Sequence, residues 1–214
     1  MKGRLYMTSD NIITELEMAR KRDRKIMITN EAIAKVPYIR YKEIPECEYG
    51  VLHQLAQDVL TISKEHNHSN EVAITYSLNS KQLAANDMDY IGVSIGDEHS
   101  VDPAESAIAY HLLNSSFDCV VVSLHNHPSL SKISLSDVRF FLQYDSVKMM
   151  IVVTNLGNIS YIVKTSRYNK HKGVELYNKA VNMHYQANVL KGYQKAAEFF
   201  LKNCYDANII YEDR

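Results

Sequence analysis

Two spacings of apolar residues alternate along this chain, and the switches between them lay out its elements. Leu52, Leu55, Ala56, Val59, Leu60 and Ile62 recur at helical spacing and predict a helix from Tyr49 to Glu65. Glu71-Val-Ala-Ile-Thr-Tyr-Ser-Leu78 alternates as a strand does, and Asn79-Ser-Lys81 follows as a turn. Tyr90 to Ile95 is a second short strand. Asp102-Pro103 then opens a helix, with the aspartate as cap, the proline at the first position and Ala104, Ile108, Leu112 and Leu113 as packing stripe. Phe117 to Leu124 is apolar nearly throughout and reads as a buried strand. A short helix from Val138 to Tyr144 comes next. Val147 to Thr154 and Ile159 to Lys164 are strands joined by the tight turn Leu156-Gly-Asn158. From Lys170 to about Asn203 the chain reads helical, with Val174, Tyr177, Val181 and Tyr185 on one face, then Val189, Tyr193, Ala197 and Phe200. Near the N-terminus, Ile12, Ile13, Leu16 and Ala19 predict a short amphipathic helix from Thr8 to Lys21.

Composition narrows this α/β pattern to an ordered globular chain of 214 residues with net charge −1. So balanced a charge gives no global field toward nucleic acid or membrane. The basic run Arg20-Lys-Arg-Asp-Arg-Lys25 reads as a solvated helix end, favoured by the helix dipole. Cys47, Cys119 and Cys204 are odd in number and far apart, which argues against a disulfide framework or a thiolate metal site and for a reducing cytoplasm. No run approaches the ~20 apolar residues that span a bilayer, so no membrane partner is expected.

Chemistry concentrates just after the Phe117–Leu124 strand, in Leu124-His-Asn-His-Pro-Ser129 and Ser134-Leu-Ser-Asp137. Residues i and i+2 of an extended segment point to one side, so His125 and His127 can aim two imidazoles at one point beyond the strand end. Pro128 cannot donate to a ladder and stops the strand. Ser134 suits a helix N-cap and Asp137 the first helical turn. Two imidazoles and a carboxylate, with one open position, make the ligand count of a catalytic zinc site. A His-x-His pair also occurs in ordinary surface turns, and His66-Asn-His68, with no strand before it and no carboxylate spaced behind, reads as one. His53 falls on the polar side of its helix, His111 reads as partly buried, and nothing draws His171 or His184 toward a metal.

Taken together, Glu71 opening a strand, then His125, His127 and Pro128, then Ser134 and Asp137, resemble the JAMM (JAB/MPN) zinc-protease signature. Asn126, Pro128-Ser129 and the glutamate-led strand and hairpin are similar to its bacterial RadC-like branch. The resemblance covers roughly 49–165 and implies a JAB/MPN-like, cytidine-deaminase-like mixed sheet flanked by helices. It leaves an N-terminal extension over 1–48 and a helical C-terminal extension over 166–214. It further implies a zinc ion held by His125, His127 and Asp137. Glu71 would act as general base, and Ser134 would donate a hydrogen bond to the oxyanion. The implied substrate is a peptide or an isopeptide-linked protein; hydrolysis of another amide or of nucleic acid, or a silent interaction module, are the alternatives. One departure stands out. The loop Ser129-Leu-Ser-Lys-Ile133 is shorter than usual in that branch and lacks its glycine, so Asp137 reaches the metal only if the loop tightens. Ser136 is a second candidate for the serine role, although only Ser134 keeps the Ser-x-x-Asp spacing.

Overall fold

A computed structural model describes residues 24–115, 119–184 and 189–214. The helix expected over Thr8 to Lys21 lies outside them, as do Phe117, Tyr185 and the side chain of Val189. Among the described residues six strands form one mixed sheet: β1 (Val72–Ser77), β2 (Ile91–Ile95), β3 (Val121–His127), β4 (Val147–Thr154), β5 (Ile159–Lys164) and β6 (Ile209–Asp213). Their order is β2-β1-β3-β4-β5-β6. Only β3 and β4 run parallel; the other neighbours are antiparallel. Parallel neighbours need a crossover, and the helix between them supplies it.

Helices α1 (Asn30–Ala34) and α2 (Tyr49–His66) lie on one side of the sheet. The α2 stripe packs there with Ile28, Val36, Ile39, Tyr41 and Ile44 against Ile74, Leu124, Ile151 and Tyr161. The stretch Ile26 to Glu48, which shows no period of its own, therefore belongs to a core. A short α3 (Ser80–Ala85) links β1 to β2. The turn expected at Asn79 to Lys81 thus opens a helical turn, and β1 and β2 are antiparallel neighbours but not a tight hairpin. On the other side lie α4 (Ala107–Ser115), α5 (Leu135–Gln143), α6 (Lys170–His184) and α7 (Val189–Asn203). Leu112, Val138, Phe141, Leu176 and Phe200 join Met150, Val152 and Ile162 in the second core.

Three expectations move. The strand expected over Phe117 to Leu124 forms as Val121–His127, because pairing with β1 continues to His125 and pairing with β4 to His127. In the C-terminal helices the buried faces are Gly173, Leu176 and Ala180, then Ala196, Ala197 and Phe200, while Val174 and Tyr193 face solvent. The extension expected to be helical over 166–214 ends in a strand: β6 pairs with β5 from Ile209 opposite Lys164 to Asp213 opposite Ser160. The β4–β5 turn forms as expected, with Gly157 at φ +87°, where a Cβ would strike the Ala32 carbonyl.

Candidate metal centre

β3 and β4 are parallel and α5 follows β3, so the C-terminal end of β3 and the N-terminus of α5 meet at one edge of the sheet. Open α/β sheets place ligands outside the carboxyl ends of parallel strands. His125 and His127 occupy that end of β3 and, being two apart, share the face that α5 covers. Pro128 ends the strand. The loop then closes on itself: Ser131 N–H donates to Ser129 Oγ at 3.1 Å, the two hydroxyls lie 2.7 Å apart, and Ile133 is buried as an anchor. The loop does tighten, as the short spacing to Asp137 requires.

Ser134 caps α5. Its Oγ accepts from Asp137 N–H at 3.2 Å, and Asp137 Oδ2 accepts from Ser134 N–H at 2.6 Å, a reciprocal capping box. That pairing turns the aspartate back over the helix start, toward the histidines. His125 Nε2 lies 3.2 Å from Asp137 Oδ1, His127 Nε2 3.5 Å from Asp137 Oδ2, and the two Nε2 atoms 3.0 Å apart. His127 Nδ1 is 3.0 Å from the Ser131 carbonyl, which fixes a proton there and leaves the Nε2 lone pair directed inward. Three donors so converged could hold a metal ion. Burial works against charge here and holds the His127 imidazole below its usual pKa. At Asp137 burial is outweighed by the two histidines and the Ser134 hydroxyl, which keep the carboxyl well below its usual range. One ionised carboxylate and a neutral imidazole are the forms that bind metal.

Glu71 stands one residue before β1, its backbone bonded to the loop after β2 through Asp97 O at 2.8 Å and Gly96 N–H at 2.9 Å. Its side chain is buried. Burial pushes its pKa up to about 7; Asp137 and Asp97 add to the rise, while His125 and the Val101 amide oppose it. His125, His127 and Asp137 thus converge, Ser134 is tied to Asp137 through the cap, and Glu71 couples electrostatically to His125 and Asp137. Ser136, by contrast, points to solvent. His66 ends α2 and His68 sits in the turn behind it at φ 51°, as expected. His53 is half-buried, 3.3 Å from the Pro37 carbonyl and against the Tyr38 ring, and so is not simply solvated. His111, expected partly buried, is exposed with Nδ1 3.1 Å from Ser115 Oγ, because the α4 face that packs inward is Ala109, Leu112 and Leu113. Ser131 was not singled out from sequence, and only its spacing from His127 could have suggested it. Asn126 contributed to a resemblance but received no role.

The chain matches no family model, no curated protein and no solved structure. Among the described residues no helix is long and apolar enough to cross a membrane.

Proposed function

We propose that this chain is a zinc-dependent hydrolase of peptide or isopeptide bonds, built on a JAB/MPN-like fold of the RadC-like kind. One observation carries the reading: a His-His-Asp donor set lies beside a buried glutamate whose proton affinity is set near neutrality. The donors suit zinc. Two imidazole nitrogens and a carboxylate oxygen, with one ligand atom from each residue lying within 4.8 Å of the others, are the donor types of a three-ligand zinc site.

His125, His127 and Asp137 would hold the ion, which when bound supplies a Lewis acid and an acidified water. Glu71 is not needed as a ligand. With a pKa of about 7 it can take a proton from the attacking water and return it to the leaving amine near neutral pH. The Ser134 hydroxyl accepts the Asp137 amide through its oxygen, and its hydrogen would turn from the Asp137 carboxylate to a developing oxyanion.

The test uses full-length wild type and Glu71→Gln side by side, reconstituted with zinc and checked for metal by elemental analysis. Both should carry about one ion per chain. On libraries of linear and isopeptide-linked peptides the glutamine variant should be slower by on the order of 10²–10⁴-fold, the usual worth of acid–base catalysis. Equal cleavage by both would overturn the role of Glu71. No cleavage by zinc-loaded wild type of any amide offered would overturn the hydrolase reading in favour of an interaction module.

A further inference from the structure

Behind the metal ligands, on the opposite face of β3, lies a sealed polar cluster. Asn126 and Asn155 are both fully buried, an environment that costs free energy unless every amide group is bonded. Here each one is. Asn126 Nδ2 reaches Asn155 Oδ1 at 2.8 Å, the Asn70 carbonyl at 3.1 Å and Ser63 Oγ at 3.2 Å, two hydrogens shared over three acceptors. Asn155 Nδ2 donates to the carbonyls of Ile26 at 2.7 Å and Ser69 at 2.9 Å, and Asn155 N–H donates to the His127 carbonyl at 3.0 Å. The side-chain oxygen of Asn126 does something different. The β1–β3 register ends at Ala73 opposite His125, and the next amide, that of Val72, donates to Asn126 Oδ1 at 2.8 Å. A side chain thus takes over where backbone pairing stops, at the residue next to Glu71.

We propose that Asn126 is a positioning residue that fixes the Glu71 carboxylate against the His125–His127–Asp137 donor set. The assignment rests on the hydrolase reading for its purpose, but not for its geometry. Asn126 lies between the two histidines in sequence and grips the start of β1 in space, so one side chain sets the glutamate's place relative to the donors. Its side chain faces away from the donors, so losing it should spare metal binding. Asn155 belongs to the same cluster, but its backbone N–H holds the end of β3 at the His127 carbonyl and it does not touch Val72, and so serves as control.

Full-length wild type, Asn126→Leu and Asn155→Leu are compared. Cobalt(II) loading, read by visible spectrum and chelator competition, should be alike in wild type and Asn126→Leu to within a few-fold. The Val72 amide should exchange with solvent on the order of tenfold faster in Asn126→Leu and not in Asn155→Leu. Crystals of zinc-loaded Asn126→Leu should show the Glu71 carboxylate displaced by about 1 Å or more, and peptide hydrolysis should lose on the order of 10–100-fold in kcat with KM little changed. Asn155→Leu should lose stability without that fall in kcat. Should Asn126→Leu not fold, Asn126→Ser, too short to reach Val72, carries the same expectations. An unmoved Glu71 carboxylate, a Val72 amide protected as in wild type, or equal kcat losses in the two Leu variants would overturn the proposal. If wild type cleaves nothing offered, the hydrolase reading fails, and amide exchange with the carboxylate position still decides the role of Asn126.

Discussion

Lys164 sits in an environment that lysine ordinarily avoids. Its side chain is buried on the helical face of β5, where Nζ donates to the Tyr144 carbonyl at 2.8 Å and lies 4.8 Å from the Phe141 ring centroid and 5.0 Å from that of Tyr168. Burial pushes its pKa down to about 8 from 10.5. An unfolded chain therefore keeps this proton up to about 10.4, while the native chain gives it up above about 8. Below about 8 both states are charged and the burial cost is felt in full. Between these values the unfolded state binds more protons, so this group's contribution to stability rises with pH. Urea unfolding of wild type and Lys164→Met at intervals from pH 7 to 9.5 should show wild type gaining on the variant as pH increases, by about 1–2 kcal/mol. A constant difference would mean that the amine is solvated in the native state.

At the scale of elements, α5 joins its own start to the candidate donor set. Its capping box holds the helix start and the same aspartate faces the histidines. Ser134→Ala should cost ~1 kcal/mol of stability, as loss of a cap does. Asp137→Ala should do more: zinc affinity, measured by chelator competition, should drop as far as it does in His127→Ala. If Asp137 served only the helix dipole, its loss would cost ~0.3–1 kcal/mol of stability and leave zinc affinity alone. Elsewhere α2 behaves as its stripe suggests, its apolar face filling one core while Gln54 and Asp58 pair on the solvent side at 2.9 Å.

For the whole molecule, the C-terminal segment forms part of the sheet and of its second core. Phe200 is fully buried there with Leu176, Ala196 and Ile209, and β6 covers the edge that β5 would otherwise expose. Phe200→Ala should destabilise the chain by ~3–5 kcal/mol in urea unfolding. The folded fraction should bind zinc as wild type does, since the donors lie at the far end of β3. A smaller loss would show that the C-terminal helices are loosely attached.

The sequence by itself determined the elements whose signals are local. Leu52 to Ile62 carries its helical stripe within one element, and the β4–β5 hairpin forms between its expected limits. His125, His127, Ser134 and Asp137 were legible for the same reason: strand alternation and a capping box fix their directions within one strand, loop and helix. The resemblance supplied the grouping of Glu71 with them, which its own position could not. Tertiary structure decided what depends on residues distant in sequence. The proton affinity of Glu71 follows from burial beside groups on β3, α5 and the loop after β2. The fold also brings Ile26, Ser69, Asn126 and Asn155 together from four separate segments. β6 gave no apolar run long enough to announce itself, and it is a strand because β5 offers it an edge. A local pattern fixes where a side chain points, but desolvation and pairing depend on what packs against it, and only the folded chain supplies that.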